Sequence, residues 1–277
     1  MNGHHLRQTF LAGKRVYGTC IEGYGQPRWP QYFAQLGLDF VFIDNEHTPL
    51  NRETMAWAAQ AYAAHNIAPL VRIPDRSPDQ AAMALDLGAH GVIAPYVETV
   101  EQVKALVGAV KYRPLKGAAL QTILDDDTFP SEETAAYLQS FNANTLLVIM
   151  IESPAGVANL PNLLAVGGVD AVLIGPHDFS ISHGIPEQYD HPTFNEAAKT
   201  IIQTCRENRV GVGIHFIAGD VERQLRWIAW GCNFVVHRSD TSFIANGIKQ
   251  ELGHVRQLVE GDIVTDLSDP GASGHGA

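Results

Sequence analysis

Short apolar runs alternate with longer amphipathic stretches along most of the chain. Val16–Ile21, Asp39–Ile43, Pro69–Val71, Gly91–Ala94, Leu146–Ile151, Ala171–Ile174, Val210–Ile214 and Phe234–Val236 are brief and nearly all apolar. That is the pattern of strands buried on both faces of a parallel sheet. Between them the pattern predicts helices over Trp29–Leu36, Arg52–His65, Pro78–Leu87, Val100–Val110, Glu132–Ser140, Ala155–Leu164, Pro192–Asn208, Asp220–Trp230 and Thr241–Leu258. Pro161 is expected to interrupt the helix that contains it. Met1–Lys14 reads as a short leader, and Tyr112–Pro130 as a long loop over the active face, because long loops in compact domains are usually functional or mobile. The tail from Gly261 is rich in Asp, Pro, Gly and Ser and is expected to be disordered, leaving residues 1–260 as one domain.

Eight β-then-α units of this kind predict a TIM (β/α)8 barrel. The alternative is a doubly wound open sheet. That fold would want a Gly-rich phosphate turn after the first strand, and Gly23-Tyr24-Gly25 does not supply G-x-G-x-x-G.

The length of 277 residues suits one such barrel, and 45% hydrophobic residues suffice for its core. A net charge of −11 argues against a nucleic-acid partner or an anionic membrane surface. Cys20, Cys205 and Cys232 are odd in number and widely spaced, which excludes a disulfide framework or zinc ribbon and fits a reduced, cytoplasmic setting. No signal peptide or transmembrane helix is expected, since no apolar stretch is long enough.

If the barrel is right, the C-terminal ends of its strands hold the chemistry. Those ends present Glu22, Asp44 with His47, Arg72, Glu152, Asp178, His215 and His237-Arg238. Glu152 and Asp178 each follow a buried strand, and two carboxylates there could share one divalent metal whose remaining positions go to water and substrate. The plainer reading is that each caps the helix that follows. His47 lies within a few turn residues of its strand, where a rim histidine can act as base near neutral pH, although lone histidines are more often structural. Arg72 ends a buried strand and therefore needs a carboxylate or an anionic ligand; beside a metal it would also stabilise a developing enolate oxygen.

At these residues the chain resembles the HpcH/HpaI aldolases, metal-dependent class II pyruvate aldolases. The matching pieces are Phe42-Ile43-Asp44-Asn45-Glu46-His47, Val71-Arg72, Leu85-Asp86-Leu87-Gly88-Ala89, Ile151-Glu152 and Gly168 to Ser180, within a likeness running from Leu11 to Leu258. The resemblance implies reversible cleavage of a 4-hydroxy-2-oxoacid into pyruvate and an aldehyde, through a metal-stabilised pyruvate enolate. It implies Glu152 and Asp178 as ligands of Mg2+, Mn2+ or Co2+. The backbone from Gly175 through Pro176 and His177 to Asp178 would hold the pyruvate carboxylate, with no N–H from Pro176. Arg72 would steady the enolate oxygen, and His47, oriented by Asp86, would act as base through a metal-bound water. It further implies a hexamer, a trimer of dimers, with the C-terminal helix exchanged between protomers.

The chain departs from the family pattern at several points. Met150 stands where a glutamine is common, Asn45 replaces a glycine, and Lys116-Gly117 replaces Arg-Gly. His237-Arg238 precedes Ser239-Asp240 where the family has small residues, and His215 adds an imidazole. Arg238 and the histidines are expected to narrow the pocket and favour a particular, anionic substrate; the alternative is a rim pair of Arg238 with Asp240 or Glu22. Two other functions are compatible with these residues. One is a different metal–enolate lyase, a decarboxylase or a CoA-ester lyase of the citrate lyase β type; the other is a catalytically degraded oxoacid sensor.

Overall fold

The computed structural model describes residues 1–23, 28–216 and 220–260. The elements run α1 (Gly3–Leu11), β1 (Val16–Ile21), α2 (Trp29–Phe33), β2 (Phe40–Asp44), α3 (Arg52–Ala64), β3 (Ala68–Arg72), α4 (Pro78–Asp86), β4 (Gly91–Ala94) and α5 (Val100–Lys111). They continue α6 (Gly117–Asp126), α7 (Glu132–Phe141), β5 (Leu146–Met150), α8 (Pro154–Ala165), β6 (Ala171–Ile174), α9 (Pro176–Ser182), α10 (Pro192–Glu207), β7 (Gly211–Ile214), α11 (Val221–Trp230), β8 (Phe234–Ser239) and α12 (Asp240–Glu260).

The eight strands pair in the order β7-β6-β5-β4-β3-β2-β1-β8, and each of these seven pairings is parallel. β7 meets β8 through the Asn233 amide on the Val212 carbonyl (2.9 Å), the Val212 amide on Asn233 Oδ1 (2.9 Å) and a parallel bridge between Phe216 and His237. A Cβ on Gly213 would run into the Phe234 carbonyl, so glycine is needed where these two strands close the ring. The result is the TIM barrel that the alternation predicts.

Strand residues sort by parity into two cores. Phe40, Phe42, Leu70, Ile93, Val148, Met150, Leu173 and Phe234 fill the barrel interior, while Val41, Ile43, Val71, Val92, Ile149, Val172 and Val212 pack outward beneath the helices. Met150 thus belongs to the interior packing, just below Glu152.

Three expectations are corrected. The leader is a helix: Asn2 caps α1, whose Leu6 and Phe10 plug the N-terminal end of the interior core while Arg7 pairs with Asp170 at 2.8 Å. Tyr112–Pro130 contains α6 and is no loop over the active face. α5 descends to the N-terminal face and β5 starts from it, so α6 and α7 leave and return on that side, opposite the strand C-termini. Finally, α8 runs unbroken through Pro161. Tyr24, Gly25 and the tail from Gly261 lie outside the described residues.

Candidate active site

Asp44 and Arg72 end neighbouring strands in register. Arg72 Nε donates to Asp44 Oδ1 at 2.8 Å, its Nη1 lies 3.1 Å from Glu46 Oε2, and its guanidinium stands over the Phe42 ring at 5.1 Å. Asp44 and Arg72 are only 1% and 7% exposed, so this is a buried ion pair that must be well matched to persist. Burial pushes the Asp44 carboxyl up, but the Arg72 hydrogen bond and charge, aided by the Glu46 amide, hold it below its usual range.

Glu152 follows β5 and is 3% exposed. Its Oε2 accepts the Tyr96 amide at 2.9 Å, and its carbonyl accepts the Ser182 hydroxyl at 2.6 Å. Burial raises its carboxyl to about 8, with the charges of Asp178 and Glu46 adding to the shift. Glu46 is raised to about 7 by burial, with Asp44 and Asp178 contributing. Asp178 lies exposed in the first turn of α9. The expectation that Glu152 caps the next helix is not met, because Ser153 caps α8 by accepting the Gly156 amide.

Asp44, Glu46, Glu152 and Asp178 thus crowd one end of the barrel, with Arg72 paired to the first two. Among the described residues no group of three or more His, Cys, Asp and Glu side chains is arranged to hold a metal ion. Two hard oxygen ligands, one of them the buried Glu152 carboxyl, nevertheless suit Mg2+-type binding, in which one or two carboxylates suffice and substrate and water complete the shell. The donor set fits.

Gly175 makes this arrangement possible. A Cβ there would collide with Glu152 Oε1 and lie 3.1 Å from Met150 Cε. Gly175→Ala should therefore displace the carboxylate and weaken divalent-metal binding by about 10- to 100-fold, the range seen when a ligand's support is lost. Calorimetric titration with Mn2+ checks this; unchanged affinity would contradict the placement.

His47 is exposed at the rim, as expected, with Nε2 3.5 Å from Glu46 Oε2. Asp86 is not brought to it. It ends α4 on the opposite face of the barrel, three-quarters exposed, and pairs with Arg113 at 3.0 Å. A helix that starts after a strand's C-terminal end finishes at the far end of the barrel, so within one chain Asp86 does not orient His47.

His177 lies beside Asp178 on α9, 3.7 Å from Glu187. His215 follows β7 and is 6% exposed, its ring 5.1 Å from that of Phe42. Arg238 makes no ion pair among the described residues. The rim alternative fails because Asp240 accepts the Glu22, Gly23 and Thr241 amides, and Glu22 accepts the Thr241 hydroxyl.

Burial, with the Arg72 charge, lowers His215 to about 4. An unfolded ring takes its proton near 6.5, so between these values the unfolded chain binds more protons than the fold. This contribution to stability is complete above pH 6.5 and is lost as the pH falls through 4, by about 3 kcal/mol. His215→Phe should flatten the acid limb of urea-melt stability in that window; an unaltered slope would contradict it.

Two residues at the site escaped the sequence reading of roles. Glu46 stood in a matching run but carried no assigned function, and its link to both Arg72 and His47 depends on turn geometry. Tyr96 contributes a backbone amide from a left-handed conformation (φ 52°), which no side-chain motif announces.

The HpcH/HpaI aldolase/citrate lyase family model matches residues 26–246. The chain belongs to that family. A 2-keto-3-deoxy-L-rhamnonate aldolase from Escherichia coli is 31% identical over 221 residues, covering 79% of this chain and 81% of that protein. A hydroxypyruvate/pyruvate aldolase from Delftia acidovorans is 31% identical over 245 residues, covering 87% and 88%. The crystal structure of an HpcH/HpaI aldolase from Desulfitobacterium hafniense superposes with a TM-score of 0.79 at 26% identity, covering 93% of this chain and 98% of that one. As a member of this family the protein is a carbon–carbon lyase, an aldolase of the pyruvate type, and such aldolases depend on divalent metal.

Proposed function

We propose that the protein cleaves a 4-hydroxy-2-oxoacid reversibly into pyruvate and an aldehyde at the C-terminal face of the barrel, with Glu152 and Asp178 as metal ligands. The observation that carries the residue assignment is the convergence of Glu46, Glu152 and Asp178 beside Arg72, where burial first and then the neighbouring carboxylates raise the proton affinity of Glu152 and Glu46. When bound, a divalent cation supplies Lewis acidity at the oxoacid's oxygens. The chain's own residues do the rest. Arg72, locked by Asp44, presents its guanidinium where charge develops as the keto oxygen becomes an enolate oxygen. The first amides of α9 at His177 and Asp178 have no helical carbonyl to bond and suit the substrate carboxylate. His47, at the rim beside Glu46, moves the proton of the 4-hydroxyl group. Buried Met150 offers no hydrogen bond there, so orientation falls to the charged groups.

Turnover of racemic 4-hydroxy-2-oxopentanoate, read as pyruvate by coupled reduction, tests this. Activity with Mg2+ or Mn2+ that EDTA abolishes is expected; pyruvate release unaffected by EDTA would overturn it.

A homo-oligomer accompanies this reading. α12 shows an apolar stripe of Ile244, Ile248, Leu252, Val255 and Val259, all at least 40% exposed, which suits a second copy of the chain. Ile248→Glu should lower the mass seen by light scattering; an unchanged mass would exclude this stripe as the contact. The buried thiols of Cys20, Cys205 and Cys232 suit a cytoplasmic setting, and no described helix is long and apolar enough to cross a membrane.

A further inference from the structure

The N-terminal end of the barrel, opposite the reaction face, holds a cavity of about 360 Å3. It is lined by Arg7 of α1, Lys111 and Tyr112 at the end of α5, Phe129, and Leu138 and Asn142 at the end of α7. Its two cations share one carboxylate. Arg7 Nε lies 2.8 Å from Asp170 Oδ1 and Lys111 Nζ 2.5 Å from Asp170 Oδ2, an oxygen that also accepts the Leu147 amide at 2.8 Å. Among the described residues no second carboxylate pairs with either cation, so one positive charge is left over. The two side chains are only 27% and 13% exposed, which leaves little water to screen that charge. Burial, with the Arg7 charge beside it, holds the Lys111 ammonium below its usual range despite the pull of Asp170. A surplus cation in the wall of a cavity calls for an anion.

Asn142 adds a second demand. It is 4% exposed, and its Nδ2 donates to the Arg113 carbonyl at 2.8 Å and to the Leu138 carbonyl at 2.9 Å. Carbonyls only accept, which fixes the orientation of the amide and leaves Oδ1 a buried acceptor without a donor. An occupant must therefore bring a hydroxyl or an N–H as well as an anion. The two demands arise close together. The Asn142 carbonyl accepts the Thr145 hydroxyl at 2.9 Å, and the Thr145 carbonyl in turn accepts Lys111 Nζ at 2.8 Å and Arg7 Nη2. One short turn thus carries the acceptor and anchors both cations, so the donor and the acid group of the occupant belong on neighbouring carbons. The rings of Tyr112 and Phe129, edge to face at 5.9 Å, together with Leu138 give the remainder an apolar wall.

We propose that this cavity is a second binding site, for a small 2-hydroxycarboxylate with an apolar side chain. The carboxylate meets Arg7 and Lys111, the hydroxyl donates to Asn142 Oδ1, and the side chain lies against Tyr112 and Phe129. The site is separate from the proposed metal ligands and does not rest on the aldolase reading. A site built to bond a hydroxyl discriminates against the analogue that lacks it, because its own polar group is then left unpaired.

The test is calorimetric titration of the full-length protein in EDTA with 3-phenyllactate and with 3-phenylpropionate, which lacks only the hydroxyl. EDTA removes any metal that would itself chelate a 2-hydroxyacid. 3-Phenyllactate should bind about tenfold more tightly than 3-phenylpropionate, the worth of one hydrogen bond to a buried acceptor. Lys111→Met, which removes the surplus charge, should weaken 3-phenyllactate by about tenfold or more. Ala135 is half-buried on α7 and also lines the cavity. Ala135→Trp fills that space, leaves the Asp170 ion pairs in place and should abolish binding; it stands in if the methionine variant does not fold. No binding to the wild type at millimolar concentration, equal affinity for the two acids, or wild-type affinity in Ala135→Trp would overturn the proposal. Because nothing here is read from turnover, its failure leaves the aldolase reading standing, and a failed aldolase assay leaves this site standing.

Discussion

Arg72→Met is expected to cut kcat/KM by about 100- to 1000-fold and to destabilise the fold by about 3–5 kcal/mol. The two effects have separate origins. In the proposed reaction the activity is lost because the guanidinium, paired with Asp44 and Glu46, is the group that meets the enolate oxygen. The stability is lost because Asp44, 1% exposed, keeps its charge in place through the 2.8 Å bond from Arg72 Nε. The Glu46 amide at 3.0 Å would remain, but it brings no charge. Arg72→Lys should recover little of either, since one ammonium cannot span both Asp44 and Glu46 as the guanidinium fork does. Urea melts and steady-state kinetics on the two variants would check this. A methionine variant as stable as the wild type would show that the buried pair is not what fixes Asp44.

Glu152→Gln should behave in the opposite sense for stability. Activity should fall by about 1000-fold or more, because the proposed function makes Glu152 a metal ligand that carries several kcal/mol of transition-state stabilisation. The metal-free protein, however, should be no less stable. The carboxylate it loses is 97% buried and crowded by Asp178 and Glu46, whereas a neutral amide of the same shape can still accept the Tyr96 amide through its oxygen. Melting curves in EDTA at neutral pH would read this directly. A lower melting temperature in the variant would mean that Glu152 serves the fold rather than the metal.

Much of this architecture could be read from residues alone. The eight apolar runs fell within a few residues of the observed strands because a strand buried on both faces leaves a composition that local pattern detects. β8 was the exception. It was expected to stop at Val236 and continues to Ser239, since His237 and Arg238 look like loop residues but occupy a bulge that only pairing with β1 defines. α1 was missed because its two buried side chains, Leu6 and Phe10, are too few to outweigh the polar residues around them. α6 was hidden by Gly117 and three successive aspartates, although Ala118, Ala119 and Leu120 favour a helix.

At the site, the positions of Arg72, Glu152 and Asp178 at or just past strand ends were legible in the apolar runs, where barrel topology concentrates chemistry. The position of Asp86 at the far end was not, because sequence order does not say which end of the barrel a helix end occupies. The left-handed Arg238 at the β8 bulge was equally invisible, since it depends on pairing with β1 rather than on residue type.

The central claim is that these residues make an enolate from pyruvate, and it is tested most directly by NMR of pyruvate C3 protons in D2O. The account predicts that the enzyme with Mg2+, Mn2+ or Co2+ replaces those protons with deuterium, and that EDTA stops the replacement. Proton signals that persist with all three metals would contradict it.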